Sequence, residues 1–223
     1  MEVFVFVEGQ TEEMFVKRLL GPHLAKRSVL LTPLRPGKPN KWGHRGYGVP
    51  PYKLLRPDIV HQLSSDPSGA SRLTTMLDLY ALPDDYPGFQ EAVARGCPLA
   101  KVRLLEKAMA DDIGDPRFIP HLQLHEFEAL LLADPMKIAA VLPECHCGVQ
   151  ALADEVRDYA TAEDVDEGED THPSARISRA TTGFRYDKPL HGLSIAEEVG
   201  LPVMRKRCPH FAEWLAALEV LAE

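Results

Sequence analysis

Strand-like and helix-like segments alternate through the first 135 residues, and this alternation limits the possible folds more than any other feature of the chain. Val3–Val7 is a nearly unbroken apolar run of Val and Phe, which indicates a short strand buried on both faces. Further strands are predicted at 28–34, 72–79 and 118–124. Helices are predicted from Thr11 onward and at 57–64, 98–113 and 126–133. The resulting β-α-β-α-β-α-β order predicts an α/β fold with a four-stranded, mainly parallel sheet flanked by helices.

The rest of the chain contains only helix and loop signals. We therefore expect an α/β core over 1–135 and a helical C-terminal extension over 136–223 that packs on the core. No segment approaches the roughly 20 apolar residues of a membrane helix, and the N-terminus lacks the basic region of a signal peptide. Four cysteines are too few for a disulfide scaffold, so we expect a cytoplasmic protein without membrane contact, with Cys145 and Cys147 as free thiols.

Charge is distributed unevenly along the sequence. The formal net charge is −8, yet no Asp or Glu occurs between Glu13 and Asp58, where ten Lys and Arg residues stand. The remainder of the chain therefore carries −18. A cluster of cations without acids is typical of proteins that bind phosphate polyanions, although a solvated helix surface explains the part from Thr11 to Lys26.

Two stretches are predicted to contact nucleic acid. The Gly- and Pro-rich segment 36–52 mixes cations with aromatic rings, a combination suited to phosphate contact and base stacking. Its candidate residues are Lys38, Lys41, Trp42, Arg45 and Tyr47. A second basic stretch, 171–207, contributes Arg176 and Arg205 as candidates.

Several carboxylates follow the predicted strands. Glu8 ends the first strand, Asp78 lies near the end of the third, and Glu126 comes just after the fourth. In open α/β sheets the ligand crevice lies beyond the carboxyl ends of the strands, so these acids are expected to converge there. Glu12 and Glu128 are further candidates, although a Glu at a helix start also complements the helix dipole, and Glu128 equally suits a surface position. Clustered carboxylates predict a Mg²⁺ or Mn²⁺ site.

Three separated motifs carry a resemblance to a known family: VEGQTEE (7–13), MLDLYALP (76–83) and LHEFEALLLADP (124–135). The later strings PSARI (173–177), YDKPLHG (186–192) and RKRCPHFAEWL (205–215) extend it over nearly the whole chain. The sequence resembles a bacterial family known as a domain of unknown function and grouped with the Toprim-like proteins. The resemblance implies a Toprim-like, Rossmannoid fold similar to the Toprim domain of nucleases of the overcoming-lysogenization-defect (OLD) type.

The Toprim pattern has a Glu after the first strand and an Asp-x-Asp after the third. By this resemblance Glu8 matches the first acid, Glu12 the acid four residues on in the OLD-type nucleases, and Asp78 the first Asp of the pair. Tyr80 stands where the second Asp is expected, and Glu126 and Glu128 are the hypothetical replacements. The site otherwise holds a single metal ion or is inactive.

An intact site of this kind predicts divalent-metal-dependent cleavage of DNA or RNA. Glu8, Asp78 and Glu126 would hold the metal, which activates water and neutralises the transferred phosphoryl group. Lys188 would add a cation to the transition state. His125 is a candidate general acid or outer-shell residue, although a single His beside a strand end is more often structural.

No Walker-type G-x-x-x-x-G-K-[ST] and no G-x-G-x-x-G occurs in the chain. The resemblance implies a separate ABC-type ATPase as partner in a two-component, defence-like system, and we also expect a homodimer. Two alternatives of other classes stay open. One is a non-catalytic Toprim-like module that binds nucleic acid or its ATPase, and the other is a Mg²⁺-dependent phosphohydrolase of small phosphate esters.

Overall fold

Strand β1 (Glu2–Val7) lies inside a parallel sheet, as its unbroken apolar sequence predicts. The computed structural model describes residues 1–37, 48–165, 168, 170–184 and 186–222. The remaining strands are β2 (Leu30–Leu34), β3 (Arg72–Asp78), β4 (Phe118–Ile119) and β5 (Leu122–Gln123). The sheet order is β2-β1-β3-β4, with β5 also paired to β3, and every pairing is parallel. The predicted α/β class and parallel sheet are thereby confirmed.

Helices connect the strands and follow them. In the described part of the chain the α-helices are α1 (Gln10–Phe15), α2 (Gly21–Ala25), α3 (Tyr52–Ser64), α4 (Phe89–Val93), α5 (Pro98–Ile113), α6 (Glu128–Leu131), α7 (Met136–Val141), α8 (His146–Val156), α9 (Pro173–Ala180), α10 (Leu193–Val199), α11 (Leu201–Arg207) and α12 (Pro209–Glu219). Two π-helical segments, Val16–Leu20 and Lys188–Gly192, and two 3₁₀ turns, Pro143–Cys145 and Ala162–Asp164, complete the elements. Helix α4 is an element that the sequence patterns did not predict.

The register of the sheet explains its unusual residues. Val5 of β1 pairs with Pro33 of β2, and a proline is tolerated there because β2 is an edge strand. On its other side β1 pairs with β3, and this ladder ends where Val7 pairs with Met76 near the carboxyl ends of both strands. Except for the partly exposed Phe4, the apolar residues of β1 and β3 are buried, so these two central strands form the core of the sheet.

The fourth predicted strand, 118–124, is divided into β4 and β5. Pro120 lies at the break and has no N–H for the ladder. The buried hydroxyl of Thr75 replaces the lost pairing, because it accepts from the His121 backbone N–H at 2.9 Å and donates to the His121 carbonyl at 2.8 Å. Helix α3 differs from the prediction too. It begins at Tyr52 because Asp85 accepts hydrogen bonds from the Tyr52 and Lys53 backbone N–H groups, so Pro57 lies inside the helix instead of in its first turn.

The described chain divides into two compact units. The first unit comprises Met1–Gln123 together with Ala217–Glu223, and it contains the whole sheet. Within it, the carboxylate of Glu219 lies 2.6 Å from His23 Nε2 and 3.8 Å from Arg27 Nε. The second unit comprises Leu124–Ala216 and is helical in its described residues. Each unit is described by itself below.

Candidate functional site

The strand order identifies one special position in the first unit. The chain passes from β1 to β2 on one side, whereas β3 lies on the other side of β1. The connections that leave the carboxyl ends of β1 and β3 therefore lead toward opposite sides of the sheet. In open α/β sheets this topological switch point is where ligands bind.

Glu8 and Asp78 occupy that position. Glu8 follows the last residue of β1, and Asp78 is the last residue of β3. A Glu8 carboxylate oxygen accepts a hydrogen bond from the Asp78 backbone N–H at 3.3 Å. Both acids are partly exposed. The last backbone pair between β1 and β3 is Val7 with Met76, and the Glu8 side chain adds one further contact between the two strand ends. Glu8 therefore lies at the same sheet edge as Asp78.

Glu12 belongs to the turn that follows β1. Its carboxylate reaches back and accepts the Gly9 backbone N–H at 2.9 Å, which satisfies one of the free donors at the start of α1. The side chain is buried. This geometry gives Glu12 a capping role, and its predicted role as a metal ligand stays a prediction.

Tyr86 is a neighbour of this site that was not among the site residues predicted from the sequence. Its phenol is buried and donates to the Pro50 carbonyl at 3.0 Å. Burial raises the pKa of Tyr86, and the negative charges of Asp85 and Glu8 raise it further. The phenol is therefore a neutral hydrogen-bond donor within the electrostatic reach of Glu8. It lies in the turn-rich stretch ALPDDYPG, which gave no local signal for a site residue.

The second unit holds Glu126 in a dense hydrogen-bond network. Its carboxylate accepts from the Ser174 backbone N–H at 2.9 Å and from the Ser174 hydroxyl at 3.1 Å, and it lies 2.9 Å from His172 Nδ1. Burial alone would raise the pKa of Glu126. The Ser174 N–H, the Lys188 charge and the His172 contact outweigh burial and lower the pKa, so the group is ionised.

Glu128 lies in the same unit in a different environment. It is 2% exposed, and the Lys188 ammonium is 3.1 Å from its carboxylate and 3.8 Å from that of Glu126. Burial raises the pKa of Glu128 to about 7 despite the opposing charge of Lys188, and the charge of Glu126 adds to the increase. The two acids therefore differ in protonation near neutral pH, although only one residue separates them.

Three residues around these acids were not among the predicted site residues. They are His172, Ser174 and Tyr186, and the Tyr186 hydroxyl is buried without a hydrogen-bond partner among the described residues. Burial raises the pKa of Tyr186, followed by the charges of Glu128 and Glu126. The strings PSARI and YDKPLHG contain Ser174 and Tyr186, so motif recognition marked the right segments without the individual residues.

His125 has a backbone conformation that is rare for a residue with a side chain. Its φ is 62°, and its Nε2 lies 3.0 Å from the Glu163 carbonyl, to which it donates. Strained conformations of this kind persist where the surroundings over-determine them, often at functional sites. The proposed acid–base role of His125 stays a prediction.

The predicted nucleic-acid contacts fall into three groups. Lys38, Lys41, Trp42, Arg45 and Tyr47 lie outside the described residues. Arg205 is partly exposed on α11. Arg176 is 4% exposed and ion-paired with Glu155, with its guanidinium 6.0 Å from the centre of the Tyr159 ring. Arg176 thus has partners within the protein, and its predicted contact with nucleic acid stays a prediction.

The predicted ligands therefore form two local groups. Glu8, Glu12 and Asp78 belong to the first unit, while Glu126, Glu128 and Lys188 belong to the second. The four cysteines are free, as expected, with Cys145 buried and Cys147 exposed. Among the described residues, no helix has the length and apolar character needed to cross a membrane.

The fold and the switch-point acids define an α/β protein with a Rossmannoid sheet and a carboxylate site. Residues 7–219 match the family described as Domain of unknown function (DUF4276), and the chain belongs to that family. No curated protein and no solved structure matches the chain.

Proposed function

We propose that this protein is a divalent-metal-dependent nuclease of Toprim type that hydrolyses phosphodiester bonds in DNA or RNA. The observation that supports this most directly is the contact between Glu8 and Asp78 at the topological switch point. Two partly exposed carboxylates that end neighbouring parallel strands offer oxygen ligands for a divalent cation at one sheet edge. A ligand crevice at this edge is also where a substrate would bind.

The donor set fits Mg²⁺ or Mn²⁺. Both ions prefer oxygen ligands, and Mg²⁺ is commonly held by one or two carboxylates together with substrate phosphates. Glu8 and Asp78 would be the ligands in the first unit. A bound ion would supply Lewis-acid stabilisation of the phosphoryl group and lower the pKa of bound water.

The chain's own residues have distinct proposed roles. Glu8 and Asp78 would hold the ion, and with it would position the substrate phosphate. In the second unit, Glu126 is proposed as an ionised ligand, because its network of donors holds the carboxylate charged and fixed. Lys188, whose side chain is half-exposed, is proposed to contact substrate phosphate, and Glu128 is proposed as a further ligand.

Cleavage of supercoiled plasmid and of single strands in Mg²⁺ or Mn²⁺ tests the function. Glu8→Gln and Asp78→Asn keep the side-chain size and remove the charge, so both are expected to abolish cleavage. Glu2→Gln is the matched control, because Glu2 is an exposed acid at the opposite end of β1. Persistent lack of nicking by the wild-type protein, alone and with an ATPase partner, would refute the proposal.

Glu126→Gln, Glu128→Gln and Lys188→Met form a separate arm of this experiment. Loss of cleavage without loss of the folded state would support roles for these residues in the reaction. Unchanged cleavage would restrict the active residues to the first unit and leave the group around Glu126 as a structural network.

A second candidate function is a non-catalytic Toprim-like module that binds nucleic acid or an ATPase. Tyr80 favours it, because this tyrosine stands where the Toprim pattern has an acid. Such a module binds nucleic acid without metal-dependent cleavage. A gel-shift measurement run beside the cleavage assay separates the two functions.

The ABC-type ATPase that the family resemblance implies would supply nucleotide hydrolysis, for which this sequence has no Walker-type motif of its own. Adding that ATPase and ATP to the cleavage reaction is expected to increase the rate. Light scattering of the purified chain tests the homodimer expectation independently of activity.

A further inference from the structure

A cavity of about 220 Å³ opens in the first unit beside the carboxyl ends of β1 and β2. Its apolar wall consists of Phe6 and Leu34, which are neighbours in the β1–β2 ladder. Its polar lining comes from the residue after β2 and from α3. These polar groups are Arg35, Asp58, His61 and Gln62.

Two of the polar groups are held in position by hydrogen bonds to other parts of the first unit. The Arg35 Nε donates to the Glu13 carboxylate at 2.8 Å, and Asp58 accepts the Gly37 backbone N–H at 2.6 Å. Burial would raise the pKa of Glu13, but the Lys17 and Arg35 contacts lower it, so Glu13 is ionised and anchors Arg35. A binding site whose polar groups are already fixed loses less entropy when a ligand enters.

The cavity adjoins the Glu8–Asp78 site along the chain. Phe6 precedes Glu8 by two residues, which corresponds to about 7 Å along a strand. Glu13, which anchors Arg35, follows Glu12 at the start of α1. The same strand end and the same helix thus contribute to both sites.

The lining selects among ligand classes. A free phosphate or other small anion is disfavoured because Asp58 is among the polar groups, and a purely apolar ligand would remove the polar side chains of His61 and Gln62 from water without offering them hydrogen bonds. The volume is also below the roughly 300–1,000 Å³ typical of pockets for drug-sized ligands. A flat, neutral group with both donors and acceptors on its edge suits an apolar wall bordered by Arg, Asp, His and Gln.

We propose that this cavity binds one unpaired nucleobase of the substrate strand, next to the phosphate acted on at Glu8 and Asp78. The inference rests on the proposed nuclease function and adds single-stranded substrate as its class. Unpaired bases are recognised by hydrogen bonds to their exposed edges and by apolar or aromatic contact with their faces. Leu34, Arg35 and Gly37 also come from the segment without acidic residues, which favours a polyanionic strand over a cationic ligand.

Binding of a labelled, mixed-sequence single strand is compared with binding of an abasic strand of the same length. Fluorescence anisotropy in EDTA reports binding without hydrolysis. The abasic strand keeps every phosphate and lacks the bases, so the wild-type protein is expected to bind it about tenfold more weakly, as for loss of one stacked base.

Gln62→Leu keeps the approximate side-chain volume and removes the hydrogen-bonding amide, and His61→Ala removes the imidazole of an exposed residue. Either variant is expected to reduce the preference for the base-containing strand severalfold. Gln90→Leu is the control, because Gln90 is an exposed glutamine of the same unit that lines a different cavity.

Equal wild-type affinity for the two strands would overturn the inference, as would a preference that survives both cavity variants or is lost in the Gln90 control. Mn²⁺ binding by the same preparations separates this failure from failure of the nuclease proposal. Intact Mn²⁺ binding without base preference contradicts only the base-binding cavity. Base preference without Mn²⁺ binding contradicts only the metal-dependent function.

Discussion

The Glu8 carboxylate accepts a hydrogen bond from the Asp78 backbone N–H, across 70 residues of sequence, where strands β1 and β3 end. The contact fixes one acid against the backbone of another at the switch point of the sheet. A carboxylate that is already held in place binds a divalent cation with less reorganisation, which is why Glu8, beside Asp78, is central to the proposed function.

Glu128 is expected to make stability depend on pH. Its pKa of about 7 in the folded protein, raised by burial, exceeds the ordinary value of 4.5. Between these two pH values the folded state retains a proton that the unfolded state has lost, so the free energy of unfolding falls as pH rises. The fall attributable to this residue is complete above pH 7 and amounts to roughly 3 kcal/mol at most.

Urea unfolding in EDTA from pH 4.5 to about pH 8 measures this effect. Glu128→Gln is neutral in both states, so its stability relative to wild type should increase steadily over that range. Glu144→Gln, at an exposed acid of the same unit, should follow the wild-type curve. Parallel curves for wild type and Glu128→Gln would contradict the assigned protonation.

Arg176 and Arg179 form a matched pair for testing a structural ion pair. Both contact Glu155, but Arg176 is 4% exposed while the Arg179 side chain is 54% exposed. Arg176→Gln is expected to lower the free energy of unfolding by about 2 kcal/mol, because it removes a buried guanidinium that bonds to Glu155 and to the Thr171 carbonyl. Arg179→Gln should cost less than about 1 kcal/mol. Similar costs from chemical denaturation would show that Arg176 is not a structural anchor.

Gly148 is expected to tolerate no side chain. A Cβ built there would lie 2.1 Å from the Ala180 carbonyl oxygen at the end of α9, so α8 and α9 must move apart in Gly148→Ala. We expect a loss of about 2 kcal/mol or more by thermal or urea unfolding, although alanine is the better helix former. Gly96→Ala is the control, since a Cβ at Gly96 meets nothing within 4 Å. A stabilised Gly148→Ala variant would contradict this packing.

The strands were predictable because each has a local apolar signature, as in Val3–Val7, and their parallel direction was predictable because helices alternate with them. The nearness of Glu8 and Asp78 followed from the rule that parallel strands end at one edge. The start of α3 and the break between β4 and β5 were not predictable locally. Each depends on a distant partner, Asp85 in the first case and Thr75 in the second.

The surroundings of Glu126 were beyond local sequence reasoning for the same reason. Ser174 lies 48 residues further along the chain, and its contacts determine the protonation of Glu126. The opposite pKa shift of Glu128 depends on burial, which no spacing of residues reveals. The types of residue in this group were foreseen, whereas their hydrogen-bond partners required the folded chain.

Isothermal titration with Mn²⁺ tests the central claim most directly, with wild type compared with Glu8→Gln and Asp78→Asn. Glu2→Gln and Asp111→Asn are matched controls at exposed acids of the same unit. We predict saturable binding by the wild type and both controls, and at least about tenfold weaker binding by each site variant, as expected from loss of a charged ligand. Absence of binding by the wild type, or binding unaffected by both site substitutions, would contradict a metal centre at Glu8 and Asp78.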